Sequence, residues 1–149
     1  MLKSTIQSDL KAAMLTGDKT RVSVLNMIKS AIHNEEIAKS ARDTGLPDDA
    51  VLLLLQKEAK KRVDAAELYK KAGDEDRAAV ELSESELISQ YLPEQLSDSR
   101  LEEIVVEQIA LIQPSGIKDM GRVIGAVKAK TGQLADGGRI AQMVKQKIT

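Results

Sequence analysis

The sequence lacks cysteine, phenylalanine and tryptophan altogether, and it has only two tyrosines and one histidine among 149 residues. Without cysteine there is no disulfide, no thiolate nucleophile and no cysteine-based zinc site. A single histidine, His33, excludes a multi-histidine metal centre. Two tyrosines are too few for the aromatic platform on which unpaired bases stack. Since there is also no glycine-rich phosphate loop and no metal-ligand spacing, we expect neither a metal centre nor a cofactor site.

Long apolar runs are also missing. The longest covers residues 50–55, whereas a helix needs roughly 20 apolar residues to span a bilayer. The first nine residues, 1–9, do not form the apolar segment of a signal peptide. We therefore expect a cytoplasmic protein without a membrane partner.

Apolar residues recur at helical spacing along nearly the whole chain, and no strand-like alternation interrupts them. Asp18 and Asp74 are candidate N-caps, Pro47 suits a first helical turn, and Ser97 or Ser99 can cap the helix that follows Pro93. The sequence predicts an all-α fold with two domains. Residues 1–93 form an elongated N-terminal helical hairpin domain, and residues 97–149 form a compact C-terminal three-helix domain.

Charge is distributed unevenly between the two ends. The whole chain has a net charge of −1, but residues 115–149 contain seven basic and two acidic side chains, a net charge of +5. A local positive field suits a polyanion even when the net charge does not. The predicted polyanion-binding residues are Lys118, Arg122, Lys128, Lys130, Arg139 and Lys145.

Glycines accompany these basic residues. Gly121 and Gly125 lie four positions apart, on one face of the predicted sixth helix, and Gly137 and Gly138 open the seventh. Two interpretations stay open at this point: tight packing between helices, or close approach of a sugar–phosphate backbone. We expect Asp136 to cap the seventh helix and to occupy its free N–H groups.

Three features of the N-terminal half have ordinary interpretations. His33 is expected to be polar surface, and the basic run at residues 60–62 to be a solvated face. The apolar run at residues 52–55 surrounds its helix on all sides. That helix is therefore either covered by several neighbours or meets a protein partner or a second copy of the chain.

Several motifs together resemble the GatB/YqeY proteins, and specifically the free-standing YqeY-like members. In the first predicted domain they lie at residues 61–66, 71–73, 81–87 and 91–96, and in the second at 118–123 and 132–137. The resemblance extends over essentially the whole chain. The chain departs from the family pattern at Asp74, where relatives commonly have arginine.

The resemblance implies a function. The family is named for the tail of the B subunit of tRNA-dependent amidotransferase, which converts misacylated Glu-tRNA or Asp-tRNA. The resemblance implies that this chain is a tRNA-binding accessory protein associated with a carbon–nitrogen ligase that uses glutamine as amide donor. Because the sequence shows neither a glutaminase nucleophile nor an ATP site, we expect no catalysis by the chain alone. The alternatives are a protein-interaction module and a non-catalytic subunit of such a ligase.

Overall fold

The computed structural model describes all 149 residues and contains seven α-helices and no β-strand. The predicted all-α class is therefore confirmed. By its internal contacts the chain divides into two compact units, Met1–Leu92 and Pro93–Thr149. No helix combines the length and the apolar composition that a bilayer crossing requires.

The first unit contains four helices: α1 (Leu2–Thr16), α2 (Lys19–Ala38), α3 (Asp48–Lys71) and α4 (Glu75–Ser89). Helices α3 and α4 pack extensively against each other, and α1 and α2 form a second pair. The core between them is aliphatic, and its fully buried members include Ile6, Ile28, Ile32, Leu55 and Ile88.

Local signals set most of the helix ends in this unit. Gly17 ends α1 in a left-handed conformation, with φ of 73°. The side chains of Asp18 and Asp74 accept hydrogen bonds from the N–H groups of Arg21 and Arg77, respectively, each at 3.1 Å. Both predicted N-caps are thus confirmed, because an aspartate carboxylate satisfies donors that the first helical turn leaves free.

One expectation about α3 is wrong. Arg62 is not part of a solvated face, because its side chain is only 7% exposed and pairs with Glu58 and Glu84. The apolar run is not fully covered within the chain: Leu55 is buried, whereas Leu53 is 45% exposed, so contact with a partner or a second copy stays a prediction.

The second unit contains three helices, α5 (Asp98–Ile112), α6 (Met120–Thr131) and α7 (Gly137–Ile148). Short 3₁₀ turns at Ile117–Asp119 and Gly132–Leu134 precede and follow α6. Of the two candidate caps, Ser97 is the one that accepts a hydrogen bond from Arg100 N–H, at 3.1 Å. The unit has its own aliphatic core, whose fully buried members are Leu101, Val105, Val123, Val127, Ile140 and Val144.

Candidate nucleic-acid interface

Helix α6 is the centre of the predicted interface, and an aspartate anchors its start. The Asp119 carboxylate accepts hydrogen bonds from Ser115 N–H and Ser115 O–H, each at 2.8 Å. These two bonds, and to a lesser degree the charge of Arg122, hold the pKa of Asp119 below its ordinary value. Lys118 lies in the 3₁₀ turn that leads directly into α6, Arg122 lies in the first turn of α6, and both are exposed.

The two faces of α6 differ sharply. Val123, Val127 and Thr131 are buried in the unit, whereas Gly121 and Gly125 are exposed. A Cβ atom added to either glycine would meet no other atom within 4 Å. These glycines therefore do not serve helix packing within the unit. They leave the exposed backbone of α6 open to a close approach from outside.

Two of the cations in residues 115–149 are used inside the unit. Arg139 donates through Nη2 to the carbonyl of Leu96 at 2.7 Å and to Asp98 at 2.8 Å. Lys147 pairs with Glu102 of α5. Both contacts hold α7 against the region of α5, so neither cation is fully available to a ligand.

The other basic side chains have weak pairing or none. The Arg122 side chain is 68% exposed, and its Nη1 lies 3.8 Å from the Asp119 carboxylate, which also accepts hydrogen bonds from Ser115. Four lysines are exposed and have no acidic partner: Lys118, Lys128, Lys130 and Lys145. The field of these charges is therefore not cancelled at short range.

The start of α7 differs from the expectation. Asp136 occupies the N-cap position, but its side chain accepts no hydrogen bond from the first-turn N–H groups. A Cβ atom on Gly137 would lie 3.2 Å from both Cε and Nζ of Lys128. Lys128 thus lies beside the first turn of α7, with its ammonium next to the positive end of the helix dipole. Gly138 is exposed.

The positive field is confined to part of the unit. Residues 93–149 contain eight basic and seven acidic side chains, a net charge of only +1. The acidic side chains are concentrated in α5, which carries Asp98, Glu102, Glu103 and Glu107 against a single basic residue, Arg100. The unit is therefore polarised, with α5 acidic and α6 and α7 basic.

The sequence could not show which of the cations are paired. Arg139 and Asp98 are 41 residues apart, and Lys147 and Glu102 are 45 apart. The local spacing of residues in the sequence carries no information about contacts between residues so far apart. The excess of charge was therefore readable from the sequence, and the division into paired and unpaired cations was not.

Comparison with known proteins identifies the family of the chain. A sequence model of the Yqey-like protein family matches residues 3–148. The chain belongs to this family. The resemblance predicted from the motifs is thus confirmed, and the match takes in the helices of both units.

Two relatives of this Yqey-like chain carry descriptive names. The chain is 29% identical to a protein of Clavispora lusitaniae named altered inheritance of mitochondria protein 41, mitochondrial. The 126 aligned residues are 85% of this chain and 71% of that relative. The chain is also 28% identical to a glutamyl-tRNA(Gln) amidotransferase subunit of Thermococcus sibiricus. Here the 127 aligned residues are 85% of this chain and 20% of that relative. The chain thus matches about a fifth of the length of the second relative.

Proposed function

We propose that the chain is an accessory protein that binds structured RNA, specifically tRNA, through α6 and α7 and has no complete active site of its own. The observation that carries the proposal is the set of exposed lysines without an acidic partner in α6, in α7 and in the 3₁₀ turn before α6. These lysines together with Arg122 are called the basic face. The proposed phosphate contacts are Lys118, Arg122, Lys128, Lys130 and Lys145. Arg139 has a supporting role, because its guanidinium is bound to Leu96 and Asp98.

The choice of tRNA among RNAs is supported by the relative from Thermococcus sibiricus. That protein is named as a subunit of a glutamyl-tRNA(Gln) amidotransferase, and most of this chain matches a part of it. In our proposal the shared segment binds tRNA in both proteins. The chemistry of amide transfer belongs to other parts of the larger protein.

The mode of recognition follows from the composition. Phosphate contacts position an RNA without reading its sequence, and base reading in single strands relies on stacking with aromatic side chains. The basic face has lysines and arginine but no aromatic residue. We propose that it recognises the shape and phosphates of a folded RNA, with one sugar–phosphate strand lying close to α6 at Gly121 and Gly125.

Binding of tRNA to charge-matched variants tests the proposal. The double variant Lys118→Ala/Lys130→Ala removes two unpaired cations from the face, and we expect it to weaken binding by roughly tenfold or more at low salt. The control is Lys29→Ala/Lys57→Ala, which removes two exposed cations of the first unit. Equal losses in the two double variants would contradict the proposed location.

A steric variant tests the close approach. Gly125→Leu changes no charge, and its side chain points into open space on the free protein. If a sugar–phosphate strand lies against α6, this variant binds tRNA more weakly while its helix content and melting temperature do not fall. Binding equal to that of the parent would show that the strand does not pass over Gly125.

A second candidate function is protein association through the first unit. Its helices keep several large apolar side chains in solvent: Leu15 is 89% exposed, Leu68 67% and Val80 56%. One relative is named as part of a multi-subunit enzyme, which also favours association. Purification of the tagged chain with and without nuclease separates the two functions, because a partner held only through RNA is lost on digestion.

A further inference from the structure

The first unit contains a polar cleft of its own, lined by none of the proposed RNA-binding residues. It opens between the start of α1, the end of α2 and the loop that leads to α3, and its volume is about 630 Å³. Small-molecule sites commonly have volumes of roughly 300–1,000 Å³. Most of its lining is polar or charged, and Ile37 is its single apolar member.

The floor of the cleft is a buried carboxylate whose charge is already balanced. Glu36 is only 2% exposed. One of its oxygens accepts hydrogen bonds from the Lys3 ammonium at 2.6 Å and from Leu46 N–H at 3.4 Å. The pair with Lys3 neutralises Glu36 within the protein, so this acid does not repel an anion as a free carboxylate would.

The other polar groups of the lining are mostly unused donors. Lys3 spends one of its three N–H donors on Glu36. Arg42, His33 and Ser40 are exposed and donate no side-chain hydrogen bond to the protein. A guanidinium alone offers five N–H donors in a planar fork that matches phosphate. Asp43 is the one acidic side chain of the lining that has no cation paired with it.

The loop holds an unusual backbone conformation at this cleft. Ser40 has φ of 53°, in the left-handed region that residues other than glycine seldom adopt. This conformation ends α2, because Ser40 N–H donates to the Ile37 carbonyl at 3.1 Å as in other left-handed helix termini. The loop is held in place by Glu36, through the Leu46 N–H bond and through the hydrogen bond from Ala41 N–H to the Glu36 carbonyl at 2.7 Å.

We propose that this cleft binds a small phosphate monoester that also carries hydroxyl groups, a compound of the sugar-phosphate class. Arg42 supplies the positive charge that binds the phosphate. Lys3, whose charge is balanced by Glu36, offers its remaining N–H donors, and Ser40 and His33 are further donors. Asp43 accepts hydrogen bonds from the hydroxyl groups of the ligand. A nucleobase is not required, since the lining contains no aromatic side chain to stack on it.

Nuclear magnetic resonance titration of the full chain with ribose 5-phosphate tests the proposal. We expect saturable shifts of the amides at Ser40, Arg42 and Asp43, with inorganic phosphate binding more weakly at the same place. Arg42→Gln should lower the affinity for ribose 5-phosphate by about tenfold or more, since a hydrogen-bonded charge is lost. The charge-matched control Lys29→Gln should leave it within about twofold.

A second variant tests the role of the acid. Asp43→Asn should strengthen the binding of inorganic phosphate, because a like charge is removed, and should reduce the preference for ribose 5-phosphate over it. The absence of saturable shifts with ribose 5-phosphate, or equal losses in Arg42→Gln and Lys29→Gln, would overturn the proposal. Shifts produced only by an RNA oligonucleotide with a 5′-phosphate would also overturn it, because the ligand would then be an RNA end.

Discussion

Two buried charged residues, Arg62 and Glu36, connect helices of the first unit. The Arg62 guanidinium donates to the carbonyl of Glu58 at 2.8 Å, to the Glu58 carboxylate at 3.1 Å and to Glu84 at 3.2 Å. Its fourth contact is the sulfur of Met27, at 2.8 Å. One side chain thus joins α2, α3 and α4.

Removing Arg62 should therefore be costly. Arg62→Met leaves the Glu84 carboxylate without its cation and leaves Glu58 with only the exposed Lys61, and we expect the free energy of unfolding to fall by about 3 kcal/mol. The control is Lys61→Met, because Lys61 pairs with the same Glu58 but is 72% exposed; its loss should be below about 1 kcal/mol. Urea unfolding measures both values. Similar values for the two variants would show that the Arg62 cluster does not stabilise the unit.

Glu36 gives the first unit an acid-sensitive contact. The hydrogen bond from Lys3, then that from Leu46 N–H, outweigh burial and hold the pKa of Glu36 below its usual 4.5. A lowered pKa in the folded state stabilises the protein above about pH 4.5, and this contribution is lost as the pH falls through the folded-state value. Glu36→Gln should thus melt lower than the parent at pH 7 and depend less on pH between about 5 and 3. Parallel melting curves across this range would contradict this role.

The sequence predicted residue roles where the cause is local. Asp18 and Asp74 cap helices through bonds to N–H groups three residues away, so type and position suffice. Arg62 was misjudged because Glu84, one of its partners, is 22 residues away and lies on another helix. Arg139 and its contacts near α5 escaped prediction for the same reason.

Among the elements, α6 contains two interior glycines that lower its stability relative to alanine at the same positions. Gly121 and Gly125 lie inside the helix with open space around them. A glycine costs roughly 0.5–1 kcal/mol relative to alanine in a helix interior. A helix that carries two such residues without a packing reason is consistent with a surface that is kept free for a ligand.

Gly125→Ala should therefore raise the melting temperature, with a gain of about 0.5–1 kcal/mol in the free energy of unfolding. The control is Gly132→Ala, since Gly132 has φ of 55° and a side chain there is strained; it should lower the melting temperature. Thermal unfolding followed by circular dichroism measures both. A destabilising Gly125→Ala would mean that the glycine serves the fold after all.

The elements were well predicted from helical periodicity, and their ends less so. The seven helices follow the spacing of apolar residues, because each buries one face. The 3₁₀ turn at Ile117–Asp119 was missed, since the bonds between Ser115 and Asp119 that accompany it have no signature in the periodicity. The absent side-chain cap at Asp136 was missed because residue type alone does not fix side-chain direction.

At the scale of the whole molecule, each unit has its own aliphatic core. We propose that the units are domains that fold separately, as the sequence predicted for residues 1–93 and 97–149. A fragment of residues 93–149 should then be helical and unfold cooperatively by itself. The full chain serves as reference for its helix content. A fragment that is disordered alone would show that the second unit depends on the first.

The central claim is that RNA is bound by phosphate contacts from α6 and α7, and the salt dependence of tRNA affinity tests it most directly. Each phosphate contact contributes roughly −0.7 to −0.9 to the slope of log affinity against log salt concentration. We predict a steep slope for the parent, a slope flatter by about 1.4–1.8 for Lys118→Ala/Lys130→Ala, and the parent slope for Lys29→Ala/Lys57→Ala. A slope near zero for the parent, or equal flattening in both double variants, would contradict the account.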